Sequence, residues 1–136
     1  MMEIIATKQA PAAVGPYSQA VRAGDTVYVS GQIALVPASG SLAAGGIEGQ
    51  TEQVMKNLGA ILQAAGADYT DVVKTTCFLA NIGDFAAFNS IYGRYFTGRP
   101  ARSCVAVGAL PKGALVEVEA IARRGATAGR EHHPAE

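Results

Sequence analysis

The chain has 136 residues, enough for one domain, and its 11 basic and 11 acidic side chains cancel. Neutrality argues against the basic field of a nucleic-acid binder, and no apolar run of roughly 18 residues is present to cross a membrane as a helix. Only 16% of the residues are charged against 49% hydrophobic, so part of the surface is expected to be buried against another copy, most simply in a symmetric homo-oligomer.

The N-terminus, MMEIIATKQAP, lacks a basic segment followed by an apolar one, and no signal peptide is expected. Residues 16–23, PYSQAVRA, run into Gly24-Asp25, a turn signal. The run TVYVSGQIAL, residues 26–35, is β-branched and aromatic and reads as a strand. Residues 37–46, PASGSLAAGG, read as a loop or short hairpin. From about Glu48 the period changes. Val54, Leu58, Ile61, Leu62 and Ala65 recur at helical spacing, with Gly66 placed to end the helix. DVVKTTCFLA, residues 71–80, reads as a second strand. Asp84 is placed to cap a second helix, in which Phe85, Phe88, Tyr92 and Tyr95 form a core stripe. Two last runs, SCVAVGAL and ALVEVEAIA, flank Pro111-Lys112-Gly113 and read as a hairpin. The pattern predicts an α+β domain with two helices on one face of a mixed sheet. It occupies residues 1–124, and residues 125–136 (GATAGREHHPAE) read as a disordered tail holding His132 and His133. Two adjacent histidines make no metal site alone. Cys77 and Cys104 fit neither a CxxC nor a zinc spacing, and two lone thiols point to a reducing cytoplasm.

Alternate strand residues share a face. In the first arm of the expected hairpin Ser103, Val105 and Val107 lie on one face and Arg102, Cys104 and Ala106 on the other. In the second, Val116, Val118, Ala120 and Ala122 oppose Leu115, Glu117, Glu119 and Ile121. Matching the apolar faces puts Arg102, Cys104, Glu117 and Glu119 together on the face away from the helices. That face reads in two ways. It is a solvated surface with an incidental ion pair, worth ~0–1 kcal/mol, or a cleft in which Arg102 takes a carboxylate through paired hydrogen bonds and a glutamate handles a proton or a water.

Seven blocks in order, GPYSQAV (15–21), VSGQI (29–33), VVKTTCFL (72–79), 85–92 with Asn89, PARSCVAV (100–107), LPKGA (110–114) and VEVEAIA (116–122), resemble the RidA/YjgF family of reactive-intermediate deaminases. The resemblance runs from about Ile4 to Arg123. It implies a chorismate-mutase-like (YjgF-like) subunit and a homotrimer whose three sheets form a central barrel, with active sites between neighbouring subunits. It implies hydrolysis of 2-imino acids, such as 2-iminobutanoate and 2-iminopropanoate, to 2-oxo acids and ammonia, without cofactor or metal. The carboxylate-binding arginine of the family falls on Arg102, the water-orienting glutamate on Glu117, the site cysteine on Cys104 and the site tyrosine on Tyr17, the last expected from the adjacent subunit. Ser30 and Gly31 fall where the family backbone lines the pocket. With both histidines in the tail, no base accompanies Cys104 to make it a covalent nucleophile. Arg99 stands where many relatives carry an apolar residue, and it borders the expected pocket. Within the family the alternatives are a 2-aminomuconate-type deaminase or a non-enzymatic small-ligand-binding or chaperone-like trimer. Retention of both Arg102 and Glu117 favours the enzymes, and the neutral charge argues against an RNA role.

Overall fold

The computed structural model describes residues 2–126, so His132 and His133 lie outside the described residues. Six strands form one mixed sheet: β1 (Met2–Ile5), β2 (Ala20–Ala23), β3 (Thr26–Gln32), β4 (Val72–Leu79), β5 (Ala101–Ala106) and β6 (Val116–Arg123). Their order across the sheet is β1-β2-β3-β6-β4-β5. The β4–β5 pair is parallel, and the other neighbours are antiparallel. Helices α1 (Gly46–Ala64) and α2 (Phe85–Tyr95) pack against each other and against one face of the sheet.

The helical spacing of 54, 58, 61 and 62 has its expected result: Val54, Leu58, Ile61 and Leu62 are fully buried. They meet Val27, Val29, Val116, Val118, Ala120 and Ala122 from the period-2 faces of β3 and β6. Each valine, leucine or isoleucine among them, taken from full exposure, contributes about 1.5–3 kcal/mol. Gly66 ends α1 as expected, with a left-handed φ of 81° that a side chain would resist. In α2, Phe88 and Tyr92 are buried and Phe85 and Tyr95 partly so, which confirms the aromatic stripe as core. Asp84 does occupy the capping position of α2, but its side chain accepts no capping bond. Asn81, three residues earlier, caps the short 3-10 turn through the Gly83 amide instead.

Two expectations are overturned. The last two strands are not a hairpin: β4 lies between β5 and β6. The connection carries left-handed Lys112 and Gly113 and spans two inter-strand gaps rather than one tight turn. The shared face is therefore wrong as well. Cys104 pairs with Cys77, which pairs with Val118, and directly paired residues project to one side. Arg102 pairs with Thr75 and thence Ala120. Arg102 and Cys104 thus lie on the helix-covered side. Glu117 pairs with Phe78 and thence Val105 on the open side, and Glu119 with Thr76 and Ser103. The alternation inside each strand was read correctly. The match between strands failed because Val105 is apolar yet 46% exposed on the open face. The N-terminal strands β1 and β2, four residues each, were not anticipated.

Candidate active site

The site is built on an irregularity. Along β3 the partners step from Val29 to Gln32, while along β6 they step only from Ala120 to Val118. One extra residue, at Ser30-Gly31, bulges opposite Glu119 and re-aims the local side chains. Gly31 then faces the Glu117 side chain so closely that a methyl group there would overlap the carboxylate. Glycine at this position is what lets Glu117 lie across β3.

Above this bulge runs residues 6–18, a segment with neither helix nor strand that carries Tyr17. Its anchor is Gln19, a buried side chain 4% exposed. Gln19 Nε2 donates to the carbonyls of Pro11 at 2.7 Å, Thr7 at 3.0 Å and Ala10 at 3.3 Å, and its Oε1 accepts from the Thr7 amide at 2.7 Å. Ser30 Oγ donates to the Ser18 carbonyl at 2.6 Å, and the Ser30 amide donates to the Gln19 carbonyl at 2.9 Å. The segment closes a cleft of about 520 Å³. Tyr17, Gly31 and Glu117 line it together with Gln19, Gln32 and Lys112. Burial pushes the Glu117 carboxyl above its ordinary value of 4.5, and the neighbouring Glu119 adds to the rise. A half-buried carboxyl with a raised pKa is suited to exchange a proton with a bound water.

Arg102 lies outside this cleft, at the margin of the helix-covered face. Its Nη1 donates to Asn89 Oδ1 at 2.6 Å. Its Cζ stands 4.8 Å from the centre of the Tyr92 ring and 5.5 Å from that of Phe85. Contacts of this kind contribute about 0.5–1 kcal/mol at exposed sites and about 2 when desolvated. The two ion pairs among the described residues are Arg22–Glu3 and Arg94–Glu52, so Arg102 keeps its charge free of a carboxylate. Cys104, on the same face, packs partly against the core. Burial raises its pKa, against a smaller lowering by Arg102. Cys77 beside it is pushed up to about 12 by burial. Both are thiols near neutral pH, which disfavours a thiolate nucleophile.

The predicted residues therefore fall into two groups. Tyr17, Gly31 and Glu117 line the cleft, Ser30 lies beside it tied to the Ser18 carbonyl, and Arg102 and Cys104 stand apart from them on the other side of the sheet. Sequence reasoning missed Gln19, Gln32 and Lys112. Lys112 has a left-handed backbone, φ 58° and ψ 20°, which only the adjacent Gly113 hints at. Gln19 was visible inside the GPYSQAV block, but the three carbonyls it meets are set by the path of the loop. Arg99 is likewise left-handed, φ 57°, and exposed. Among the described residues no group of three or more His, Cys, Asp and Glu side chains converges to hold a metal ion.

Comparison with known proteins bears on this arrangement. The family model described as Endoribonuclease L-PSP matches residues 7–124. A 2-iminobutanoate/2-iminopropanoate deaminase from Rattus norvegicus is 55% identical over 124 residues, covering 90% of each chain. The crystal structure of the YjgF gene product from E. coli superposes with a TM-score of 0.85 at 44% identity, covering 90% of this chain and 98% of that one. E. coli TdcF with bound serine superposes with a TM-score of 0.86 at 41% identity, again over 90% and 98%.

Proposed function

This chain belongs to the Endoribonuclease L-PSP family, the RidA/YjgF family its motifs resemble, and from that membership we propose that it hydrolyses 2-imino acids such as 2-iminobutanoate and 2-iminopropanoate to 2-oxo acids and ammonia. The observation that carries the reading is Arg102, a guanidinium held on an aromatic surface with no carboxylate of its own. Its remaining N–H donors suit the paired oxygens of a substrate carboxylate. The relative solved with serine bound holds a ligand with such a group.

Substrate anchored at Arg102 presents its C=N carbon to water. Glu117 orients that water and accepts a proton as the oxygen bonds to carbon. That proton passes to nitrogen to give a carbinolamine; its hydroxyl proton is then taken by Glu117 and delivered to nitrogen as the C=O bond forms, the C–N bond breaks and ammonia leaves. Tyr17 and Gly31 wall the pocket beside Glu117. Cys104 acts as a small lining group. The chemistry is orientation and proton transfer at an already electrophilic carbon, so no cofactor is required.

The two groups of residues, on opposite sides of one sheet, meet when copies assemble in a homotrimer. Tyr17 and Glu117 of one protomer then complete a site with Arg102 and Cys104 of its neighbour. Ile4, Val21, Tyr28 and Ile121 form a row across the open face through direct register pairs, and Ile4 is 64% exposed and Tyr28 48%. An apolar face of this kind suits burial in the interior of a ring. The free thiols of Cys77 and Cys104, paired across β4 and β5, suit a reducing cytoplasm. A cleft walled by Pro11, Ala12, Val14, Ile33 and Val36 around Glu117 favours a small imine over RNA.

The test generates 2-iminobutanoate from threonine with a dehydratase and traps the surviving imine with semicarbazide. Wild type is expected to lower the trapped signal, and Arg102→Ala is expected to lose roughly 100-fold or more in kcat/KM. Full activity in Arg102→Ala would remove the carboxylate clamp. No effect of wild type would redirect the reading to larger or doubly acidic imines or to a binding role.

A further inference from the structure

Phe85, Asn89 and Tyr92 stand at i, i+4 and i+7 on one face of α2, and all three meet the Arg102 guanidinium. Tyr92 is itself fixed by a 2.6 Å hydrogen bond between its hydroxyl and Thr75 Oγ1, both buried. The cradle is neutral at every contact: two rings and an amide oxygen. Elsewhere in the chain Arg22 and Arg94 stand beside carboxylates, Glu3 and Glu52. At Arg102 the polar acceptor is instead an asparagine. An amide oxygen fixes the plane of a guanidinium as a carboxylate would, but leaves the charge uncompensated.

We propose that Asn89 is a specificity-determining positioning residue, whose neutral side chain aims Arg102 while keeping its full charge for a substrate carboxylate. The inference rests on the reading of Arg102 as that clamp. Asn89 is exposed and touches the guanidinium at its edge, so it acts through Arg102 rather than on the reacting atoms.

Substitution ranks the two roles that a hydrogen-bonding asparagine can have. Asn89→Asp is isosteric and accepts the same hydrogen bond more strongly. Asn89→Ala removes the acceptor and adds no charge. If Asn89 serves only as a structural acceptor, aspartate is tolerated and alanine is the worse variant. The proposal reverses that order. In Asn89→Asp the KM for 2-iminobutanoate is expected to rise about tenfold or more with kcat within about twofold, the signature of lost binding rather than lost chemistry. Asn89→Ala is expected to show a smaller rise. The affinity of the stable product 2-oxobutanoate, measured by calorimetry on each variant with matched thermal unfolding, is expected to follow the same order. Near-normal KM and product affinity in Asn89→Asp, with a larger defect in Asn89→Ala, would overturn the proposal. Arg102→Ala separates this failure from failure of the clamp. If Arg102→Ala keeps its product affinity, the clamp is wrong. If it loses that affinity while Asn89→Asp binds normally, only the role of Asn89 falls.

Discussion

Glu117 is a carboxylate whose environment opposes its charge. Burial is the larger cause and Glu119, two residues along β6, the smaller. The folded chain therefore holds this proton more tightly than the unfolded chain does. The associated stability is present below the ordinary value of 4.5 and is lost as pH rises through the higher folded value. Activity that needs the carboxylate has the opposite dependence and fails as pH falls through that folded value. Replacing Glu119, which is exposed and takes no part in the proposed chemistry, removes the smaller cause. Glu119→Gln is thus expected to move the acid limb of kcat/KM to lower pH and to stabilise the protein slightly above it. The shift is expected to shrink in high salt, where surface repulsion is screened. A pH–rate profile in low salt checks this, and an upward displacement of the limb would contradict it.

At the scale of elements, local pattern was readable and the relation between elements was not. The 3.6 period of α1 and the period of 2 in β4, β5 and β6 are properties of contiguous residues, and the structure keeps them. Insertion of β4 between β5 and β6 is decided by which strand pairs with which, and nothing within the two runs encodes it. The bulge at Ser30-Gly31 was hidden for a related reason, because it exists only relative to β6. The candidate site residues came from the resemblance rather than from the strand pattern. Parity alone had put Arg102 beside Glu117 within one sheet face, which the register excludes. The segment 6–18 shows how little of a loop is visible in advance, since its order depends on one buried amide. Gln19→Ala leaves buried carbonyls and an amide without partners and is expected to cost about 1–3 kcal/mol. Hydrogen exchange should quicken at residues 7–18 and KM should rise, while β4 to β6 stay protected. Exchange unchanged in the segment would show that other contacts hold it.

The whole molecule explains the composition. A chain with 16% charged residues and an apolar row across its open sheet face fits the proposed assembly, in which its own helices cover one side of the sheet and other copies cover the other. The same assembly would bring together the two groups of site residues, each of which is chemically incomplete. The cleft holds the Glu117 carboxylate and Tyr17, with Lys112 also lining it and Arg102 outside it. The helix margin has a free guanidinium and no carboxylate to act with it. Complementation between inactive variants tests this directly. Arg102→Ala and Glu117→Ala chains, each inactive alone, are mixed under conditions of random reassembly and assayed for imine hydrolysis. If each site takes Arg102 from one protomer and Glu117 from its neighbour, roughly a quarter of the sites regain both groups and a matching share of wild-type activity returns. If the mixture stays as inactive as its parts while the assembly is intact, the two residues do not act across a subunit boundary, and the account of the site is wrong.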